Sequence, residues 1–189
     1  MILENIRDFD WLNEPANVCF TENGMQITTW PGTDFWQNID NHFSKDDGHF
    51  FFCHTQKDFI LQAQWFFEQL KDSAQCGIMV RFDERNWIKL GILSQNIYRP
   101  QLGVVVANKG SCDWSIVDLP EKLNYIHLKI KKCGQDFVSH YSIDGQKYQV
   151  VRMCHLSLDS NELKAGAYAC SPKDSPFECV LEELNLQKL

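Results

Sequence analysis

No stretch of this 189-residue chain comes near the roughly 20 consecutive apolar residues that a membrane helix requires, so no membrane span is expected. Positive charge is also scarce. The 18 Lys and Arg against 25 Asp and Glu leave a formal net charge of −7, which repels phosphate backbones and anionic lipid heads, so neither nucleic acid nor a membrane surface is expected as a partner. None of the 12 asparagines lies in an Asn-x-Ser/Thr acceptor pattern, and Met1 to Asp8 form neither a basic stretch nor the long apolar one of a secretory signal. A cytosolic location is the expectation. The eight cysteines contain no Cys-x-x-Cys pair, which argues against a zinc ribbon or a redox motif. Several, such as Cys53 and Cys76, sit in apolar runs where a reduced thiol acts as a small core hydrophobe. Pro/Gly/Ser linkers, internal repeats and low-complexity tracts are missing, so residues 1–189 read as one domain.

Helical spacing is scarce as well, while short alternating or β-branched runs recur between turn signals. Strands are expected at Met25–Thr29, His49–Phe52, Phe59–Phe67, Cys76–Phe82, Trp87–Leu93, Leu102–Ala107, Tyr125–Lys131, Phe137–Ile143, Tyr148–Val151, Ala165–Cys170 and Phe177–Leu184. The stretch Trp65 to Lys71 also fits a short helix, with Phe66, Phe67 and Leu70 on one face, and is read here as strand. Asn23-Gly24, Asp47-Gly48, Cys133-Gly134 and Asp144-Gly145 supply residues that tolerate positive φ where turns are needed. So many short strands suit an all-β antiparallel sandwich rather than an α/β crossover fold.

Successive side chains of a strand point to opposite faces. That parity buries Ile88, Leu90 and Ile92 between the sheets and turns Trp87, Lys89 and Gly91 outward. It also buries Ile78, Val80 and Phe82 and turns Gly77, Met79 and Arg81 outward. A Trp, a Lys and an Arg are thus expected together on a solvent-facing surface, where an uncovered Trp is costly. In Tyr125–Lys131 the same parity buries Ile126, Leu128 and Ile130 and leaves His127 and the lysines to water.

Several blocks occur in a fixed order along nearly the whole chain: Phe9-Asp10-Trp11 with Asn13-Glu14-Pro15; Thr33-Asp34-Phe35-Trp36-Gln37; Asp72 with Gln75-Cys76-Gly77-Ile78-Met79-Val80-Arg81; and Trp87-Ile88-Lys89-Leu90-Gly91-Ile92. Ser111-Cys112-Asp113-Trp114-Ser115, Tyr141-Ser142-Ile143-Asp144-Gly145 with Arg152, and Gly166-Ala167-Tyr168-Ala169-Cys170-Ser171-Pro172 complete the set. In this order the chain resembles domain-of-unknown-function family 1349, which includes regulation-of-enolase-type proteins. Cys112 departs from the family's Ser-Asp-Trp-Ser block as an insertion. The resemblance implies a concanavalin A-like jelly-roll sandwich of two antiparallel sheets, the fold of legume lectins and many glucanases, and it supplies no reaction.

A sugar presents flat C–H faces and rings of hydroxyls, so a sugar cleft needs aromatic platforms beside fixed polar groups. Trp36, Arg81, Trp87, Lys89, Trp114, Tyr141, Arg152 and Tyr168, with Asp34, Gln75 and Asp113 for hydroxyls, supply that mixture and are the candidate ligand-binding residues on a concave lectin-like face. The plainer alternative stays open: each Trp plugs a core or loop, and Lys89 and Arg81 pair with carboxylates such as Asp34 or Asp83. Another alternative is that the same face docks a protein.

Catalytic signals are weaker. Lectin-fold glucanases carry Glu-x-Asp-x-Glu, which places two carboxylates on one strand face; no such run occurs, and Asp83-Glu84 and Glu182-Glu183 are adjacent pairs. A polysaccharide lyase needs only a base and a cation, for which His140 or Tyr141 with Arg81, Lys89 or Arg152 are the candidates. Trp87-Ile88-Lys89-Leu90-Gly91 resembles the aromatic-x-Lys-x-Gly strand of jelly-roll alginate lyases, whose companion Arg and Gln-x-His strands are missing here. Asp40, His42, Asp46, Asp47 and His49 crowd one segment, with His54 beyond it, in neither EF-hand nor His-x-x-x-His spacing, so no metal site is expected. No Gly-x-Ser-x-Gly or phosphate-cradling loop is present, and no cofactor is expected. Non-catalytic binding of a carbohydrate or sugar-like metabolite is the reading of choice; the sequence carries no signal for oligomeric state.

Overall fold

The computed structural model describes residues 2–3, 8–37, 43–68, 72–96, 99–121, 123–160 and 162–189. Its strands form two large sheets and one ribbon. The first sheet runs, edge to edge, β15 (Gln149–His155), β14 (Asp136–Ser142), β13 (Tyr125–Cys133), β8 (Phe59–Phe66), β17 (Glu178–Lys188), β4 (Gly24–Thr28) and β3 (Asn17–Thr21). The short β1 (Ile2–Leu3) adds to β17 in parallel. The second sheet runs β12 (Ser111–Asp118), β11 (Arg99–Asn108), β10 (Trp87–Asn96), β9 (Gln75–Arg81), β16 (Leu163–Cys170), β7 (His49–Thr55) and β2 (Asp10–Leu12), antiparallel throughout. A two-stranded ribbon pairs β5 (Phe35–Gln37) with β6 (Ser44–Asp46). The architecture is the expected all-β sandwich.

Each expected strand is found, and the four anticipated turns fall at the ends of strands. Trp65 and Phe66 close β8 as strand, while Leu70 and Lys71 of the alternative helix lie outside the described residues. One hairpin escaped the turn chemistry. Lys109 and Gly110 join β11 to β12 with φ of 54° and 83°, the positive pair that a tight two-residue turn demands, although Lys rarely supplies it.

The parity of the strands is as read. Ile78, Val80, Ile88, Leu90, Ile92, Leu102, Val104 and Val106 point from the second sheet into the space between sheets, where they meet Leu61, Trp65, Ile126, Leu128 and Ile130 of the first. The exposure expected for the opposite face is corrected. Trp87, Lys89 and Arg81 do point away from the main core, yet all three are buried. The chain lays its own segment over them: Phe35, at the start of β5, packs into a second apolar cluster with Phe50, Phe52, Met79, Trp87, Val105, Ala107, Tyr168 and Cys170. Covering that face removes the cost of an outward Trp, and it leaves β7, β9, β10, β11 and β16 of the second sheet largely buried on both sides.

The covering segment is stitched down by polar groups. Thr29 and Phe177 exchange hydrogen bonds, the Thr33 amide donates to the Ser171 carbonyl (3.0 Å), and the Gly32 amide donates to the Lys173 carbonyl (2.9 Å). The Asp34 amide donates to Asp47 Oδ1 (2.8 Å), while the Asp34 carbonyl accepts from the Asp47 and Gly48 amides. Buried His49 ties the segment to a second loop: its Nδ1 donates to the Asn13 carbonyl (2.8 Å) and its Nε2 accepts from the Trp30 amide (3.0 Å). Those two partners require the neutral ring. The residues once weighed as a metal cluster are occupied in the same way. Asp46 pairs with Arg81, Asp47 caps Asp34, and His54 pairs with Glu162; Asp40 and His42 lie outside the described residues.

Burial holds the His49 pKa below its ordinary value of 6.5, against the opposing pull of the Asn13 hydrogen bond and Asp47. In the window between that lowered value and 6.5 the unfolded chain binds the proton and the folded chain does not. The His49 contribution to stability is therefore complete above pH 6.5 and is lost as the pH falls through that window. Urea unfolding of wild type and His49→Gln between pH 7.5 and 5 should show the stability gap between them shrinking toward acid. Parallel curves would mean that the Trp30 anchor is not what titrates.

Candidate functional site

Lys89, the third residue of β10, lies on the covered face, and its ammonium meets three acceptors: Phe35 O at 2.7 Å, Gln75 Oε1 at 2.9 Å and Asp34 Oδ1 at 3.1 Å. An ammonium has three protons, so this set satisfies it completely. The rings of Tyr168, Trp87 and Trp36 stand around it, with centroids 5.7, 5.8 and 5.9 Å from Nζ. Asp34 Oδ1 in turn also accepts from the Phe35 amide (2.8 Å), Gln75 Nε2 (3.4 Å) and the Cys170 thiol (3.6 Å). Asp34 Oδ2 has no donor among the described residues. Burial, more than the Asp34 charge, pushes the Cys170 thiol well above its ordinary range and keeps it a donor.

Beside this cluster the sheet opens into a cleft of about 240 Å³. Asp34, Gln75, Lys89 and Ser73 form its polar end; Trp36, Trp114 and Phe43 form aromatic walls; Leu93, Gly103, Val105, Tyr168 and Pro172 complete the lining. Trp36 and Trp114 meet edge to face, with centroids 5.6 Å apart and planes at 88°. Gly77, Gly91 and Gly103 stand opposite one another on β9, β10 and β11; Gly103 lines the cleft, while Tyr168 of β16, opposite Gly77, extends over Gly91. A Cβ on Gly91 would lie 2.5 Å from the Tyr168 hydroxyl, and one on Gly103 would meet Leu93 at 2.2 Å and the Trp114 indole nitrogen at 3.3 Å. Burial raises the Tyr168 phenol well above its ordinary pKa of 10, so the hydroxyl keeps its proton and is no general base.

Of the eleven candidate residues, the cleft gathers Asp34, Trp36, Gln75, Lys89, Trp114 and Tyr168. Arg81 and Trp87 share the face but lie under the covering segment. Arg81 makes a bidentate pair with Asp46 (2.5 and 2.7 Å) rather than with Asp34 or Asp83, and Trp87 is enclosed, its indole N–H donating to the Glu84 carbonyl (3.2 Å). Asp113, Tyr141 and Arg152 lie elsewhere. Asp113 alternates with Trp114 and so takes the opposite face of β12, where Arg152 of the other sheet reaches it (3.4 Å) and Ser115 Oγ (2.6 Å). Tyr141 of β14 packs against the main core and donates to Gln149. Of the lyase candidates, His140 and Tyr141 of β14 belong to the sheet that lacks Lys89 and Arg81, while Arg152 on the neighbouring β15 shares their sheet and is held by Asp113 and Ser115. Cys112 pairs in register with Ala107, so the departure from the family block leaves the strand uninterrupted.

Phe43, Ser73, Leu93, Gly103, Val105 and Pro172 were not anticipated. For Gly103 and Val105 the sequence held a signal. Leu102–Ala107 and Phe50–Phe52 are apolar at every step, the pattern of strands buried on both faces, and it announces a covered outer surface.

The Arg81–Asp46 pair is unequal, since the Arg81 side chain is 6% exposed and that of Asp46 35%. Removing the carboxylate strands a buried guanidinium, whereas removing the arginine leaves a carboxylate that still reaches water. Asp46→Ala should cost about 3 kcal/mol and Arg81→Met closer to 1 kcal/mol in urea unfolding. The opposite order would show that packing of the arginine stem outweighs the charge.

Comparison with known proteins agrees with this architecture. The chain is 29% identical to Regulation of enolase protein 1 of Saccharomyces cerevisiae over 178 residues, covering 93% of this chain and 87% of that one. The crystal structure of a functionally unknown protein from Saccharomyces cerevisiae superposes with a TM-score of 0.89 at 26% identity, covering 97% of this chain and 98% of that chain. The carbohydrate binding module CBM66 from Bacillus subtilis superposes with a TM-score of 0.62 at 14% identity, covering 96% of each chain. The GH43 protein BlXynB from Bacillus licheniformis gives 0.74 at 12% identity, covering 96% of this chain and 37% of that one. At such identities these two likenesses establish the fold alone. The family model for proteins of unknown function DUF1349 matches residues 11–189, and the chain belongs to that family.

Proposed function

We propose that the protein binds a carbohydrate without transforming it, taking one sugar ring into the cleft bordered by Trp36 and Trp114. The observation that carries this reading is the meeting, in one small concavity, of two accessible tryptophans with a fixed polar cluster. At about 240 Å³ the cleft is smaller than the roughly 300–1,000 Å³ of drug-sized sites, which suits a single ring or chain end rather than an extended polymer. Its one carboxylate among the described residues, Asp34, is committed to Lys89, so the paired carboxylates of glycoside hydrolysis are not assembled there. The sandwich shared with a carbohydrate binding module is in keeping with this use, as an analogy of fold.

A second reading has one observation in its favour. Phe43, Trp114 and Ile116 expose apolar surface, and Trp114 and Ile116 share the cleft side of β12. A protein partner seated on that rim would fit the name of the yeast relative, Regulation of enolase protein 1.

Calorimetry and thermal-shift screening against a panel of mono- and oligosaccharides tests the first reading. At least one sugar should stabilise the wild type, and Trp114→Ala, which truncates a side chain on an edge strand, should weaken it by about tenfold. A panel with no stabilising sugar would sink the carbohydrate reading and leave the docking rim.

A further inference from the structure

The described lining of the cleft is balanced in charge. Its described lining carries one cation and one anion, Lys89 and Asp34, which hydrogen-bond each other. All three Lys89 protons are taken by protein acceptors. The nearby basic groups are also engaged: Arg81 forks onto Asp46, and Lys45 donates to the Gly32 carbonyl and Asp47. A uronate or phosphosugar entering the cleft would bring a negative charge to Asp34 and find no free cation among the described lining residues.

The groups that remain unspent are neutral donors and acceptors. Tyr168 is 3% exposed, yet its hydroxyl has no hydrogen-bond partner among the described residues and lies over Gly91 on the cleft floor. The Trp114 indole N–H, beside Gly103, likewise has none among the described residues, and Asp34 Oδ2 accepts from none of them. Tyr168 lines the cleft, and a hydroxyl that opens on a cleft takes its partner from water or from a ligand. These three groups offer one group able to donate or accept, one donor and one acceptor, which is what neighbouring hydroxyls on a neutral ring can satisfy.

We propose that the cleft selects neutral sugar or polyol rings over their uronate counterparts, with ring hydroxyls completing the Tyr168 hydroxyl, the Trp114 indole N–H and Asp34 Oδ2. This rests on the carbohydrate reading and adds the ligand's charge and the residues that read it. Gly91 is part of the device, because only a missing side chain there leaves the phenol room.

The test compares matched probes by calorimetry and saturation-transfer NMR: methyl glucoside, glucuronate and glucuronamide, and methyl galactoside with galacturonate, together with neutral and uronic oligosaccharides. The expected result is that a neutral ring binds, its uronate binds at least about tenfold more weakly, and the uncharged amide recovers most of the loss. Tyr168→Phe should keep its unfolding temperature within about 2 °C of wild type and weaken the neutral sugar by up to about tenfold. Uronates binding as well as neutral rings would overturn the inference while leaving carbohydrate binding intact. So would a Tyr168→Phe protein that binds like wild type, or one so destabilised that the hydroxyl must have a partner in the protein. If neither kind of sugar binds, the carbohydrate reading fails and this inference with it.

Discussion

A buried ammonium has to be given three acceptors, and the way Lys89 receives them organises the functional face. One acceptor, Gln75 Oε1, comes from the neighbouring strand, and the other two, Asp34 Oδ1 and the Phe35 carbonyl, come from the segment that crosses above. That segment cannot slide by a residue without leaving a charge unpaired in a water-poor space, a penalty far larger than the hydrophobic gain of most alternative packings. The value of the ion pair lies in fixing position more than in adding stability. With Asp34 and Phe35 held, Trp36 follows at the next position and packs edge to face against Trp114 at the cleft. The ties from Asp47, His49 and Ser171 hold the same stretch of chain from its other side.

A glycine row does the complementary work of making space. A sheet face carrying side chains at every position would have filled the cleft, but Gly77, Gly91 and Gly103 align across three adjacent strands. Tyr168 lies over part of that trench, and the remainder becomes floor. Cleft and cluster thus come from one arrangement: residues with large side chains on the covered face bury themselves under β5 and β6, and residues with none leave the hollow beside them.

The fold was legible because strand parity and turn chemistry are local. Ile88, Leu90 and Ile92 alternate with Trp87, Lys89 and Gly91, and their facing followed from that alone. What lay over the outward set was not local. Phe35 reaches Trp87 from more than fifty positions earlier in the chain, and no periodicity records such a contact. For that reason the facing of Arg81 and Trp87 was read correctly and their access to water was not. Asp113, Tyr141 and Arg152 lie outside the cleft for another reason. Strand alternation sends Asp113 away from Trp114, and sheet membership, which depends on how strands are ordered in space, separates Tyr141 and Arg152 from the cleft. Six of the proposed residues meet because β5, β9, β10, β12 and β16 all contribute to one side of one sheet.

The second sheet has two apolar faces, and this separates the contacts made by neighbouring positions. Along β16, Ala165, Ala167 and Ala169 belong to the core between the sheets, while Tyr168 and Cys170 belong to the outer cluster. The small alanines let β16 sit close to the opposite sheet, and the larger residues between them build the covered face. A change at Ala167 acts on the packing that holds the sandwich together; a change at the Tyr168 hydroxyl acts on a group that touches no described polar partner. Consecutive side chains of β16 point to opposite faces, so the sheet itself separates the two sets of contacts. A sandwich built in this way can change the residues over its outer face without risking its core, which is how one fold can carry a ligand cleft in one protein and a docking rim in another.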